Sequence, residues 1–202
     1  MTTSSQLHSN EIRDHILATG QRIMAGKGFS AVGLNEILTD AGVPKGSFYH
    51  YFNSKEAFGV AMLARYFEDY LAELDSTLSQ PGFTMAQRLM NYWQLWRESQ
   101  SFSDCQGKCL AVKLGAEVAD LSDSMRATLQ TGTAGIIARL AEALEAGIEE
   151  GSLAIDDKPG RVAESLYQLW VGASVMVKIV RNTSPFDSAM CMTQKIIRIT
   201  AQ

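Results

Sequence analysis

Residues 34–52 read LNEILTDAGVPKGSFYHYF. Leu34, Ile37, Leu38 and Ala41 recur at three- and four-residue spacing, the period of a helix with one buried face. Gly42 closes that stripe as a helix C-cap glycine does. Pro44 suits the first position of a second helix, running to about Tyr51, because no helical partner there misses its N–H. Two short helices joined by a glycine turn, with a third ahead of them, have the spacing of a helix-turn-helix. In the second helix, Phe48, Tyr51 and Phe52 share one face and are expected to pack inward. Lys45, Gly46, Tyr49 and His50 take the other. That face suits a DNA major groove: Gly46 permits close approach, Lys45 brings charge, and Tyr49 and His50 donate to phosphates. Lys55, opening the next helix, is expected to reach the same backbone. A solvated polar face is the competing reading, since helix pairs with glycine turns are common.

Working outward, Ile12, Ile16, Leu17, Ile23 and Met24 form another helical stripe, and Gly28 ends it. Downstream, Ser54 can cap a long helix whose apolar face carries Phe58, Met62, Tyr66, Tyr70, Leu71 and Leu74. SQPGF at 79–83 breaks it. Further helices are expected over 84–100, 109–118, 123–150, 158–181 and 186–199. No window alternates with period two for long, so no β-sheet is expected. The reading is an all-α chain of about nine helices. It divides into a helix-turn-helix domain over 1–54 and a helical sensing and dimerisation domain over 55–202.

The chain has 202 residues, 46% hydrophobic and 20% charged, ordinary values for a globular protein. The formal net charge is −4. Residues 1–57 balance five basic side chains against five acidic ones, so the acidic excess lies beyond them. A total charge of that kind does not exclude nucleic acid, because a local surface decides binding. The polar start MTTSSQLHSN lacks the pattern of a signal peptide, and the longest apolar stretch, near Leu169–Val180, is too short to span a membrane. Three cysteines, Cys105, Cys109 and Cys191, have no disulfide-framework spacing, which suits a reducing cytoplasm. Glu117, Asp120 and Asp123 have no histidine nearby to complete a metal site. No cofactor is expected.

The stretch from Ile12 to Lys55, with ILATGQRIMAGKGFSAVGLNEILTDAGVPKGSFYHYFNSKEAF as the residues that carry the likeness, resembles the DNA-binding domain of TetR-family repressors. The resemblance implies an all-helical homodimer on palindromic operator DNA, with an inducer site in the C-terminal domain. By position it makes Lys45, Gly46, Ser47, Tyr49, His50 and Lys55 DNA-facing. Pro44 departs from the family's frequent Ser or Thr, and so removes a side-chain cap. VPKGSFYHYFNSKEAFGVAML, CLAVKLGAEVADLSDSMR and LYQLWVGASVMVKI extend the likeness to the subgroup that represses N-ethylmaleimide reductase and related detoxifying enzymes.

Cys109 opens the helix KCLAVKLGAEVA. Unpaired N–H groups, the positive helix end and the neighbouring Lys108 and Lys113 all favour a thiolate, the reactive form. By resemblance Cys109 also holds the subgroup's reactive position. A small buried hydrophobe is the other reading of a free cysteine. Cys105, four residues earlier, is either a resolving thiol or an incidental one, and Cys191 is expected near a dimer interface. Lys178, inside the apolar run WVGASVMVKIV, must pair, snorkel or lose its proton. It is either a partner of Cys109 or a snorkelling helix-end lysine. Tyr92, Trp93, Trp96, Phe102, Tyr167 and Trp170 can line a pocket, although aromatics at helical spacing are more often core.

Three functions compete. A repressor leaves its operator when an electrophile or oxidant modifies Cys109; or the same fold answers a reversibly bound small hydrophobic ligand; or the chain is a helical thiol enzyme using Cys105 and Cys109. The third leaves the helix-turn-helix without a purpose, so no enzymatic activity is expected.

Overall fold

A computed structural model describes residues 3–105 and 109–200. Nine helices run through the described residues: α1 Thr3–Lys27, α2 Leu34–Ala41, α3 Lys45–Tyr51, α4 Lys55–Leu78, α5 Met85–Cys105, α6 Leu110–Leu121, α7 Asp123–Glu149, α8 Pro159–Val180 and α9 Ser184–Ile196. The all-α expectation holds, with one correction. Two-residue strands, β1 Leu153–Ala154 and β2 Arg198–Ile199, pair antiparallel. Pairs this short carry no alternation to read, and theirs joins segments some forty-five residues apart. Thr200 N–H donating to the Ser152 carbonyl at 3.0 Å and the Arg198–Asp156 pair extend the contact.

The chain forms two compact units: Met1–Phe67 with Lys113–Gln130, and Glu68–Val112 with Thr131–Gln202. The expected division at residues 54 and 55 falls inside the first unit, which takes in part of α4 and a segment spanning α6 and α7.

In the first unit, Ile16, Leu17, Met24, Ile37, Phe48, Phe58, Met62, Leu114 and Val118 make a fully buried core. Two helix terminators behave as their sequence implies: Gly28 and Gly42 adopt φ of +94° and +65°, where a side chain is strained. Two other glycines serve packing. A Cβ on Gly20 would stand 2.3 Å from Phe58 Cζ, and one on Gly59 would stand 2.6 Å from Met125 Sδ. Ser54 caps α4, its Oγ accepting the Ala57 N–H at 3.0 Å. Pro44 sits one place earlier than expected, at the N-cap, with α3 beginning at Lys45. The Pro44 carbonyl accepts the Ser47 N–H at 2.9 Å, so the helix start is closed by backbone rather than by a side chain.

The second unit packs around an aromatic stack. Trp93 lies on Trp170 with centroids 5.1 Å apart, and Trp170 on Phe186 at 5.7 Å. Burying side chains of this size is the largest apolar contribution available to a small domain. Their indole N–H groups are mostly spoken for. Trp96 donates to Ser174 Oγ and Trp170 to Thr193 Oγ1, both at 2.9 Å. The Trp93 N–H finds no acceptor among the described residues. α5 starts with a reciprocal box: Thr84 N–H donates to Gln87 Oε1 at 2.9 Å, and Gln87 N–H to Thr84 Oγ1 at 3.3 Å.

Candidate nucleic-acid interface and thiol site

In the first unit α2 is held to α1 by short polar ties. Arg22 pairs with Asp40, and Lys27 with Glu36 at 2.6 Å. His15 Nε2 lies 3.1 Å from the Ala41 carbonyl oxygen. From that platform α3 buries Phe48 and Phe52, which meet each other and Phe58 at 5.1–5.6 Å. Tyr51 is half-buried beside them. The opposite face presents Lys45, Gly46, Tyr49 and His50, all exposed, and Ser47, half-exposed. Tyr49 is 50% exposed, unusual for a large ring with a core close by, and Lys45 Nζ lies 5.9 Å from its centroid. Lys45 has no carboxylate partner among the described residues, whereas Arg13, Arg22 and Lys27 each pair with an acid.

Lys55 is placed differently. Its Nζ donates to the Phe29 carbonyl at 2.7 Å and stands 4.5 Å from the Phe29 ring centroid. Burial lowers its pKa, against the opposing charge of Glu117. Glu117, from α6, accepts the Phe29 and Ser30 N–H groups at 3.1 and 2.7 Å. Burial pushes this carboxyl up, but the Ser30 and Phe29 hydrogen bonds outweigh it and leave Glu117 below its usual range. Lys55 and Glu117 together clamp the turn between α1 and α2.

In the second unit Cys109 is buried and immediately precedes the first residue of α6. Burial raises the pKa of Tyr70, Tyr92 and Tyr167, and a negative charge on the Cys109 sulfur would raise each further. Tyr70 and Tyr92 share a hydrogen bond of 2.8 Å. Both also line a cavity of about 90 Å³, with Glu73, Leu74, Leu95 and Trp96. Of the aromatics expected in a pocket, Tyr92 and Trp96 are on this wall. Tyr167 packs edge-on against Trp96 at 5.8 Å, and Trp93 and Trp170 belong to the buried stack. Lys178 is half-buried in the last turn of α8. Cys191 is exposed on α9. Phe102 and Cys105 fall on the last turn of α5, their side chains outside the described ones; Lys108 is also outside the described residues.

Residues 16–62 match the model for bacterial regulatory proteins of the tetR family, and residues 86–193 match the tetracyclin repressor-like C-terminal domain. The chain belongs to the TetR family. It is 42% identical over 192 residues to the HTH-type transcriptional repressor NemR of Escherichia coli, covering 95% of this chain and 96% of that one. It is 34% identical to the repressor DhaR of a Mycobacterium species, covering 87% of each. The crystal structure of reduced E. coli NemR superposes with a TM-score of 0.90 at 43% identity, over 95% of this chain and all of that one.

Some of these placements are legible in a TetR-family sequence and some are not. The α3 face was readable because surface and core alternate within seven residues. The contacts of Tyr70 and Glu117 were not. Tyr70 reads as one more apolar position of α4, and Glu117 as a solvated acid, until α5 and the α1–α2 turn are brought to them.

Proposed function

We propose that this chain is a transcriptional repressor that binds palindromic operator DNA as a homodimer and lets go when Cys109 is covalently modified. The observation that carries the reading is the likeness to the NemR repressor across both family domains. The exposed α3 face supports DNA binding: Lys45, Ser47, Tyr49 and His50 supply phosphate and base contacts, and Gly46 permits approach. Lys55, committed to Phe29, chiefly shapes the turn. For the homodimer, Val175, Met176, Ile179 and Val180 on α8 and Met192 on α9 are exposed apolar side chains, more than a lone helical pair leaves to water.

Cys109, at the N-terminal boundary of a helix, is placed where developing negative charge is favoured. Alkylation or oxidation there adds bulk or polarity in a packed interior. In a dimer whose two heads must match successive major grooves, a small change of spacing weakens both contacts together. Lys178 is the proposed cationic partner of the ionised or oxidised sulfur, and Cys105 a resolving thiol. A reversibly bound small hydrophobic ligand is the second reading, favoured by the cavity beside Tyr70 and Tyr92.

The deciding experiment is a gel shift on a duplex recovered by selection from random DNA, at stated low salt. Wild-type protein treated with N-ethylmaleimide or hypochlorite is expected to release it, and Cys109→Ser to hold it. Release by Cys109→Ser would refute the covalent switch. Failure to enrich any palindrome would refute the regulator itself. Lys178→Met is expected to slow the response to oxidants; an unchanged response removes Lys178 from the site.

A further inference from the structure

We propose that the cavity between α4 and α5 is a reversible binding site for a small organic cation, an alkylammonium group seated against Tyr70, Tyr92 and Trp96 and neutralised by Glu73. This rests on the reversible-ligand reading of that cavity and names the ligand's chemistry; it is independent of Cys109.

The cavity lies along one face of each helix. α4 lines it with Tyr70, Glu73 and Thr77, and α5 with Tyr92, Trp96 and Ser99, each set at the three-, four- and seven-residue steps of a single helix face. Thr77, Tyr92 and Trp96 are buried, whereas Glu73 and Ser99 are exposed, so the rings form the floor and the carboxylate stands at the mouth. At about 90 Å³ the space takes roughly six groups the size of a water molecule, which suits a trimethylammonium head with a short tail.

The polar groups on the wall decide the sign of the ligand's charge. Each hydroxyl and N–H there already bonds within the protein. Trp96 donates to Ser174 Oγ, Thr77 to the Glu73 carbonyl and Ser99 to the Trp96 carbonyl, all at 2.9 Å, and the Tyr70 and Tyr92 hydroxyls share a bond of 2.8 Å. The Glu73 carboxylate pairs with no cation among the described residues. A ligand that needs donors therefore meets committed ones, and an anion meets a like charge. A cation meets an open counter-charge.

The rings favour the same class. Those of Tyr70 and Tyr92 stand at 80° and 85° to that of Trp96, with centroids 6.4 and 6.0 Å from it. Aromatic faces carry the negative side of the ring quadrupole and attract a cation within about 6 Å, tryptophan most strongly. Leu74 and Leu95 complete the lining and suit the methyl groups of an alkylammonium ion. A small metal ion is not the occupant, because one carboxylate and three rings cannot replace its shell of oxygen ligands.

The test titrates the full chain with choline chloride at constant ionic strength and, separately, with dimethylbutanol, the uncharged isostere in which carbon replaces the ammonium nitrogen. Isothermal titration calorimetry reads both. Choline is expected to bind saturably, and the isostere about tenfold more weakly or worse. Glu73→Gln should weaken choline about three- to tenfold and leave the isostere within about twofold, since it removes charge and little else. Glu73→Lys, which brings its own ammonium to the mouth, should abolish choline binding. Both substitutions fall at an exposed position, and an unchanged thermal midpoint shows that the fold is intact. An isostere that binds as well as choline overturns the cation site while the reversible-ligand reading survives. Choline binding that neither Glu73 variant changes overturns the assignment to this cavity. Absence of binding by both compounds overturns this inference and the reversible-ligand reading together.

Discussion

The two units put their polar groups to opposite uses. In the first, the groups proposed to meet DNA are on the outside, on seven residues of α3, and the interior is apolar. Two half-buried polar side chains, Lys55 and Glu117, hold a turn. In the second, groups proposed to meet a ligand are inside: Cys109, Tyr92 and Trp96, set against an aromatic stack. A surface that reads a large partner needs a stiff support, whereas a site that answers a small molecule needs buried groups whose surroundings the ligand can change. The first unit should therefore be sensitive to steric change in its core and tolerant at its face, and the second sensitive to loss of aromatic volume.

The largest effect is expected in the second unit. Trp170→Ala removes the middle of the stack and should cost about 3–5 kcal/mol, read as a lowered urea midpoint. An effect no larger than that of a surface substitution would erase the contrast. Next is Gly20→Ala in the first unit, where the new methyl meets the Phe58 ring and should cost about 1–3 kcal/mol. Gly26→Ala, in the same helix with open space around it, should instead stabilise by about 0.5–1 kcal/mol. If the two behave alike, close packing is not what constrains this core.

Lys45→Ala should weaken operator binding roughly tenfold, or about 1.4 kcal/mol, without moving the unfolding midpoint. If the Lys45 of each head touches a phosphate, the salt dependence of log affinity should flatten by about 1.8, or about 0.9 per contact. An unchanged salt slope would assign Lys45 to a base edge instead. Glu117→Gln should cost about 1 kcal/mol. Because the folded Glu117 titrates below its ordinary value, its contribution is present above the unfolded carboxylate pKa of about 4.3 and is lost as pH falls through the lower folded value. The gap in thermal midpoint between wild type and Glu117→Gln should thus close on acidification. A gap that widens would mean the carboxylate is not what grips Phe29 and Ser30.

What could be read without coordinates was local. Gly28 and Gly42 end helices because only nearby backbone decides a left-handed cap, and Ser54 caps α4 for the same reason. The inward and outward faces of α3 follow from the helical period. Pro44 missed by one residue, since proline fits both the N-cap and the first helical turn. The rest depended on distant pairing. β1 meets β2 from the far end of the chain. Glu117 reaches a turn 87 residues earlier. Tyr70 meets Tyr92 across 22 residues. In each case the partner's type is common and the spacing carries no period, so nothing in either segment announces the other.

Lys45 has a consequence for how such a protein spends its time in a cell. Attraction to duplex DNA of any sequence grows with the number of phosphates a protein neutralises. A head whose Arg13, Arg22 and Lys27 already face its own acids has few counterions to release. The bulk chromosome then competes weakly for it, so a modest copy number suffices to keep an operator filled. Once detached, such a protein is expected to return to solution rather than linger on neighbouring DNA.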